Sequence, residues 1–435
     1  MTTFPPGPPP SRQELLKFAR DPLAYFTELA TYGEFAYVRL ATRDTYLVTS
    51  PDLLRDILVE RADLFQKPEH TRDSTQTFLG EGMLNASGAL HRRHRRIIQP
   101  VFNRAWVDSY AGAMESATRH LIARWQDGET RDIAQAMMTL ALNIVGGTIF
   151  GVPDLADSAD LARATAVMQQ YSGNTLTRSK LVAVTEQDCR EAVQVLHQLV
   201  TSVLRRHQSS GARDLVTLMK TATDPETGEK MSEQEIRDEA LTLLMAGHES
   251  TANALAWTFY LLAKHPEAER RLRAEIEGQV GDRTVTVDDL PHLPYLERVL
   301  KESLRLYPPA WLMGRTPFQA LEVGGYLIQP DANLVICPYV LHRHPRFFPE
   351  PEVFNPDRFL TEPVKYTYLP FGTGPRICIG QPFALLELAV VTVTVLQHFR
   401  LRVNPDKVVQ PDPMMTLRPK GGLPMAVETL VPVHV

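Results

Sequence analysis

The amino-acid sequence predicts a mainly α-helical protein with small β-sheets. Helical periodicity runs almost unbroken from residue 51 to about residue 310, while alternating or turn-punctuated runs are confined to about 34–50, 321–343 and 399–432. With 44% hydrophobic and 22% charged residues in 435, the composition is that of an ordinary globular chain. No internal repeat, low-complexity linker or clean boundary interrupts it, so one domain over 1–435 is expected. The net charge of −5 gives nucleic acid no basic footprint.

A proline-rich arm (about 1–12) comes first, then a helix within "DPLAYFTELATYG" (21–33). The runs "EFAYVRL" (34–40) and "TYLVTS" (45–50), separated by "ATRD", predict a β-hairpin. The longest helix lies within "SEQEIRDEALTLLMAGHESTANALAWTFYLLAKHP" (232–266). Ser232 and Glu235 form a capping box at its start, and Pro266 stops it. About 32 residues at ~1.5 Å each give a rod of roughly 48 Å, long enough to cross a domain. It is apolar on most sides from Leu241 to Leu262, so it belongs in the core. Later, "LEVGGYLIQPDANLVICPYVLHR" (321–343), "FRLRV" (399–403) and "MMTLRPKGGLPMAVETL" (414–430) carry the strand and turn signals.

The chain opens without an apolar run long enough for a signal peptide or membrane span, and no later segment reaches that length without charges. Three scattered cysteines, Cys189, Cys337 and Cys378, form neither a zinc knuckle nor a disulfide framework. A reducing, cytoplasmic location is therefore expected, with no transmembrane segment.

Four clusters stand out. Polar "AGHEST" (246–251) interrupts the core helix, where a mid-helix glycine costs about 1 kcal/mol and an unpaired buried carboxylate costs more. His248-Glu249 opens like a zinc-protease motif, but Ala252 stands where the second histidine is needed. Satisfied hydroxyls on a kinked core helix are the plainer reading. In "YLERVLKESLRLYPP" (295–309), Glu302 and Arg305 share a helix face; alone they would be a surface ion pair worth a few tenths of a kcal/mol. Arg358 in "FNPDRF" (354–359) is a candidate third member. The basic run "HRRHRR" (91–96) reads as a solvated face, an incomplete metal pair, or a helix offering His91 and Arg95 to an anion. Finally, "YLPFGTGPRICIGQPFA" (368–384) sets Cys378 in a glycine-bearing turn just before a helix, a place that favours a thiolate. No Cys-His-Asn pattern and no Gly-Lys-Ser phosphate loop accompany it. Metal ligation by a single sulfur is the remaining reading.

Taken together, these motifs resemble the cytochrome P450 family. FxxGxRxCxG (Phe371, Gly374, Arg376, Cys378, Gly380) resembles its haem-binding loop, "AGHES" its oxygen-activating centre, and Glu302-Ser-Leu-Arg305 its ExxR signature. "PDRF" (356–359) matches its downstream arginine motif, and His91 with Arg95 the helix that reaches a haem propionate. All five stand in the family's order over nearly the whole chain. The resemblance implies the cytochrome P450 fold, with the long central helix over haem b. It also implies Cys378 as axial thiolate, a donor that favours O–O cleavage. Arg376, Arg315, His91 and Arg95 are then expected on the propionates, with Phe371, Gly374, Gly380 and Ala246 around the cofactor. Glu302, Arg305 and Arg358 are expected to form a structural network behind it.

The implied activity is insertion of one oxygen atom of O2 into a C–H bond of a hydrophobic small molecule. Glu249 and an adjacent hydroxyl would manage protons. Ser250 stands where threonine is typical, with Thr251 next; serine lacks the methyl that restricts χ1. Expected pocket walls are 77–88, Leu243, Ala246, 309–313 and 421–424, all largely apolar. "RLYPPAWLMGR", "AGHESTANALAW" and "LRPKGGLP" resemble the bacterial carotenoid-ring hydroxylases; fatty-acid or terpene hydroxylation, and a haem-thiolate peroxygenase or isomerase, are the alternatives. A haem-thiolate gas sensor is the non-enzyme alternative. With 57 residues after Cys378, no fused reductase is expected. Electrons would come from a separate ferredoxin or flavodoxin with its reductase, docking in part on Arg92, Arg93 and Arg96. A monomer is expected.

Overall fold

The computed structural model describes residues 4–152, 155, 159–177, 184–206, 215–404, 406 and 408–430. Residues 1–3 of the proline-rich arm and 431–432 of the last β stretch lie outside the described residues, as does the side chain of Thr77 in the 77–88 wall.

Asp21 caps the helix Pro22–Leu29, accepting from Ala24 N at 3.0 Å. The hairpin follows, Phe35–Leu40 against Arg43–Val48, in register from Phe35↔Val48 to Leu40↔Arg43. Its connection is shorter than the expected "ATRD": only Ala41 and Thr42 lie between the strands, with Ala41 at φ 55°. Asp44 joins the ladder because Tyr37 Oη and Arg39 Nη1 both donate to it across the strands, at 2.9 and 3.3 Å.

This hairpin is the edge of a five-stranded sheet continued by Asn333–Ile336, Met313–Pro317 and Phe65–Gln66. Leu321–Val323 and Tyr326–Ile328 form a separate two-stranded ladder. The stretch 321–343 ends not in a strand but in the helical turn Pro338–Leu341, which Pro338 starts at its first position. Near the C-terminus, Pro424–Thr429 pairs with Phe399–Val403 on one side and Thr130–Asp132 on the other. Thr130–Asp132 is a strand the sequence does not announce, because three residues are too few to display a period.

The central helix spans Glu233–Lys264, 32 residues, with both bonds of the Ser232–Glu235 capping box formed. It runs through the largest hydrophobic cluster and packs chiefly along Ile133–Ile149. Beside it lies Gln381–His398, the one helix among the described residues long and apolar enough to cross a membrane by length and composition. It is a core helix here, packed on Ala111–Ile122 and the central helix. In its middle Glu387 is fully buried, and burial raises its pKa well above the carboxylate range.

The ExxR pair is no surface pair. Glu302 and Arg305 have no exposed side-chain surface and bond twice, at 2.6 and 2.8 Å. Arg305 Nη1 also donates to His342 O and Pro351 O, and Arg358 Nε to Glu302 Oε1 at 3.3 Å. Asn355 N adds a bond to the same carboxylate at 2.9 Å. Charge, helix and the 349–358 segment are thus locked together.

Candidate active site

Cys378 follows the short helical turn Gly374–Arg376 and precedes Gln381–His398. Two backbone bonds close the loop, Ile377 N to Gly374 O at 3.0 Å and Cys378 N to Phe371 O at 2.9 Å. Gly374 has φ +71°, and a Cβ there would collide with the Leu58 carbonyl, so only glycine lets the loop lie on the Asp56–Glu60 turn. Phe371 packs against the main core. Burial raises the Cys378 thiol pKa, while N–H groups of Gly380 and Gln381 aimed at the sulfur, with the Arg95 charge, act to lower it. Cys378 is nevertheless solvent-accessible, whereas Cys189 and Cys337 are buried and burial pushes Cys337 up to about 12. Among the three cysteines Cys378 alone combines an exposed side chain with backbone N–H groups and a cation acting on its sulfur.

Cations crowd the same region. Arg95, on helix Gly88–Ile98, donates to Ile377 O at 2.7 Å, tying that helix to the cysteine loop. Arg376 Nη2 donates to Ala86 O at 3.0 Å, Arg315 Nη1 to Gly314 O at 2.8 Å, and Lys67 Nζ to Leu84 O. Burial lowers the pKa of every one of them, Arg315 to about 10, with Arg376 adding repulsion. Burial, then Arg376, Lys67 and Arg95, push His91 down to about 3, so its ring is neutral at pH 7. Among the described residues, no carboxylate forms an ion pair with any of these five groups. Lys67 is the member that sequence reading missed; a single lysine in "FQKPEH" carries no pattern.

On the central helix, the residues from Leu241 to Leu262 are buried except Ala246, Gly247 and Ser250. Ala246 and Ser250 lie one turn apart and open one face. Ser250 Oγ donates to Ala246 O at 2.8 Å. Thr251 is buried on a different side and donates to Gly247 O at 3.2 Å. Glu249 is buried and accepts from Thr416 Oγ1 at 2.5 Å. His248 is buried with Nδ1 bonded to Leu244 O, and its helix carries no second histidine ligand nearby.

The remaining expectations sort by contact. Segment 80–87 is docked on the central helix through Glu81 N and Asp238 Oδ2, at 2.9 Å, and on Lys67 and Arg376. The 421–424 turn packs elsewhere: Leu423 is fully buried, and its backbone exchanges bonds with Asp132 and Ile133. In its place the tip of the Pro411–Pro413/Leu417–Pro419 hairpin reaches the helix at Glu249. Arg93 is paired with Glu229 and Glu235, and Arg96 with Asp224 and Glu226, which leaves Arg92 as the exposed arginine of the three.

Comparison with known proteins decides the family. The cytochrome P450 family model matches residues 5–425. The chain belongs to the cytochrome P450 family. It is 34% identical over 429 residues to cyclooctatin synthase of Streptomyces melanosporofaciens, covering 95% of this chain and 93% of that protein. It is 34% identical over 414 residues to cyclooctat-9-en-7-ol 5-monooxygenase of the same organism, covering 92% and 89%. The crystal structure of the cytochrome P450DA heme domain superposes with a TM-score of 0.88 at 28% identity, covering 98% of both chains. This cytochrome P450 is accordingly a monooxygenase that uses haem iron, with O2, a hydrophobic substrate and a redox partner. The residues suit that cofactor. A lone accessible sulfur supplies one metal donor, and a buried cation cluster without acidic partners among the described residues calls for a dianion, which the two haem propionates provide.

Proposed function

We propose that this cytochrome P450 hydroxylates a terpene-class substrate, with electrons from a separate ferredoxin or flavodoxin and its reductase. The single observation carrying the substrate class is the likeness, over nine-tenths of the chain, to a relative whose name places a monooxygenation on a cyclic alkenol. The walls expected from the sequence include Leu243 and Met83, both buried apolar core residues, and suit such a molecule. Spin-state titration of the purified holoprotein with terpene, carotenoid and fatty-acid panels tests it, followed by product analysis with each redox partner. A mono-oxygenated terpene is expected; turnover of carotenoids or fatty acids alone overturns the reading.

When bound, haem supplies dioxygen activation at its iron. The chain's residues do the rest. Cys378 Sγ holds the metal, and the Gly380 and Gln381 N–H groups temper its donation. Arg95, Arg315, Arg376 and Lys67 neutralise the propionates, and His91, being neutral, contributes an N–H. Lys67→Met is expected to weaken haem retention by about tenfold, the low end for losing an outer partner of a metal site. Transfer of haem to an acceptor protein measures it.

Ser250 Oγ, on the open face, passes protons inward, and Glu249 supplies them; Thr251 faces away and keeps a structural role. Ser250→Ala is expected to lower product formed per reduced nicotinamide several-fold, the balance leaving as hydrogen peroxide. Ser250→Thr should raise that ratio above wild type, since the added methyl narrows χ1. Wild-type coupling in Ser250→Ala removes Ser250 from the role.

A further inference from the structure

We infer that Thr416 and Asn253 are positioning residues that hold the carboxylate of Glu249, so that the C-terminal hairpin and the central helix share control of proton supply. This rests on the reading above that Glu249 supplies the proton.

The geometry is a directed chain. Asn253 Nδ2 donates to Thr416 Oγ1 at 2.8 Å, and Thr416 Oγ1 donates to Glu249 Oε1 at 2.5 Å. The Thr416 oxygen accepts from Asn253, and its single proton is the one given to Glu249. Glu249 and Asn253 are only 1% and 2% exposed and stand one helical turn apart. The two helix partners are buried while Thr416 is half-buried, so removing its hydroxyl leaves a buried carboxylate short of a donor. Donation from outside the helix bears on which way the carboxylate turns.

The hairpin is itself held in place. Trp257 Nε1 donates to Leu417 O at 3.0 Å, two turns along the helix from Glu249. Leu417 N donates to Pro309 O, and Trp311 Nε1 to Met414 O at 2.9 Å. Trp257 stacks on Tyr307 with ring centres 3.9 Å apart. Pro309 and Trp311 belong to the 309–313 stretch expected to wall the pocket, so Thr416 sits on a frame that touches both substrate wall and acid.

The test uses the full-length holoprotein in Thr416→Val, Thr416→Ser, Asn253→Leu, Glu249→Gln and the Thr416→Val/Glu249→Gln double variant. Thr416→Val keeps the shape and removes the donor. It is expected to lower product per reduced nicotinamide roughly five-fold, the scale of one hydrogen bond. Thr416→Ser should restore most of that, and the double variant should couple no worse than Glu249→Gln. With the thiolate signature of the reduced carbon monoxide complex unchanged, Thr416→Val should also quicken deuterium exchange at the amides of 414–417. Wild-type coupling or unchanged exchange in Thr416→Val, beside an uncoupled Glu249→Gln, overturns the inference and leaves the proton reading standing. Wild-type coupling in Glu249→Gln overturns both.

Discussion

Exchange of Cys378 for serine is expected to abolish substrate oxygenation, well beyond the ~10–100-fold cost of losing an outer partner of a metal ligand. Serine reproduces the size of the side chain and its place beneath the Gly380 and Gln381 N–H groups. It does not reproduce the soft anionic donor, because a hydroxyl ionises far less readily than a thiol and gives iron far less electron density. The reduced carbon monoxide complex should lose its thiolate signature while the apoprotein keeps its fold, seen as an unchanged far-ultraviolet dichroism spectrum. A retained thiolate signature would sink the assignment, since no other accessible cysteine is present among the described residues. Cys189→Ser and Cys337→Ser serve as controls that leave the spectrum intact.

Glu302→Ala should have the largest effect on stability. Removing one partner leaves the Arg305 guanidinium buried and unpaired, a loss of about 3–5 kcal/mol. Against a total stability of about 5–15 kcal/mol, that brings the chain to the edge of unfolding. The carboxylate also accepts from Arg358 and from Asn355 N, so the 349–358 segment loosens with it. Arg358→Ala should cost less, about 1–2 kcal/mol, because Arg358 stands at the edge with 13% of its side chain exposed. Urea unfolding of the purified variants measures both. Equal losses would mean that the network has no buried centre and acts as an ordinary surface cluster.

Local signals proved the most legible. The capping box and Pro266 bounded the central helix to within a residue, because both act over one turn of chain. The cysteine loop was legible because glycine and cysteine spacing within ten residues reports a tight backbone turn. Contacts closed by tertiary packing were not. Thr416 lies 167 residues from Glu249, and nothing in "MMTLRP" marks the hydroxyl that reaches it. Lys67 looked like any surface lysine, and only the fold puts it beside Arg315 and Arg376. For Arg93 and Arg96 the error ran the other way: a basic run suggests an open docking face, yet the acids that neutralise them come from 224–235, far along the chain. The substrate walls are a third case. Apolar side chains record that a substrate is hydrophobic but say little about its outline, so a resemblance to carotenoid hydroxylases rested on residues that many pockets share.

The unpaired cations bear on how much of this protein a cell will hold. Lys67, Arg315 and Arg376 repel one another in the apoprotein, and two of them grip the backbone at Leu84 and Ala86. A dianion that binds only the folded chain adds stability in proportion to the logarithm of its concentration over its dissociation constant. Apoprotein spends correspondingly more time partly open, and proteases remove chains in that condition. Haem occupancy thereby bears on the lifetime of the folded chain: haem-loaded protein is expected to outlast apoprotein in limited proteolysis.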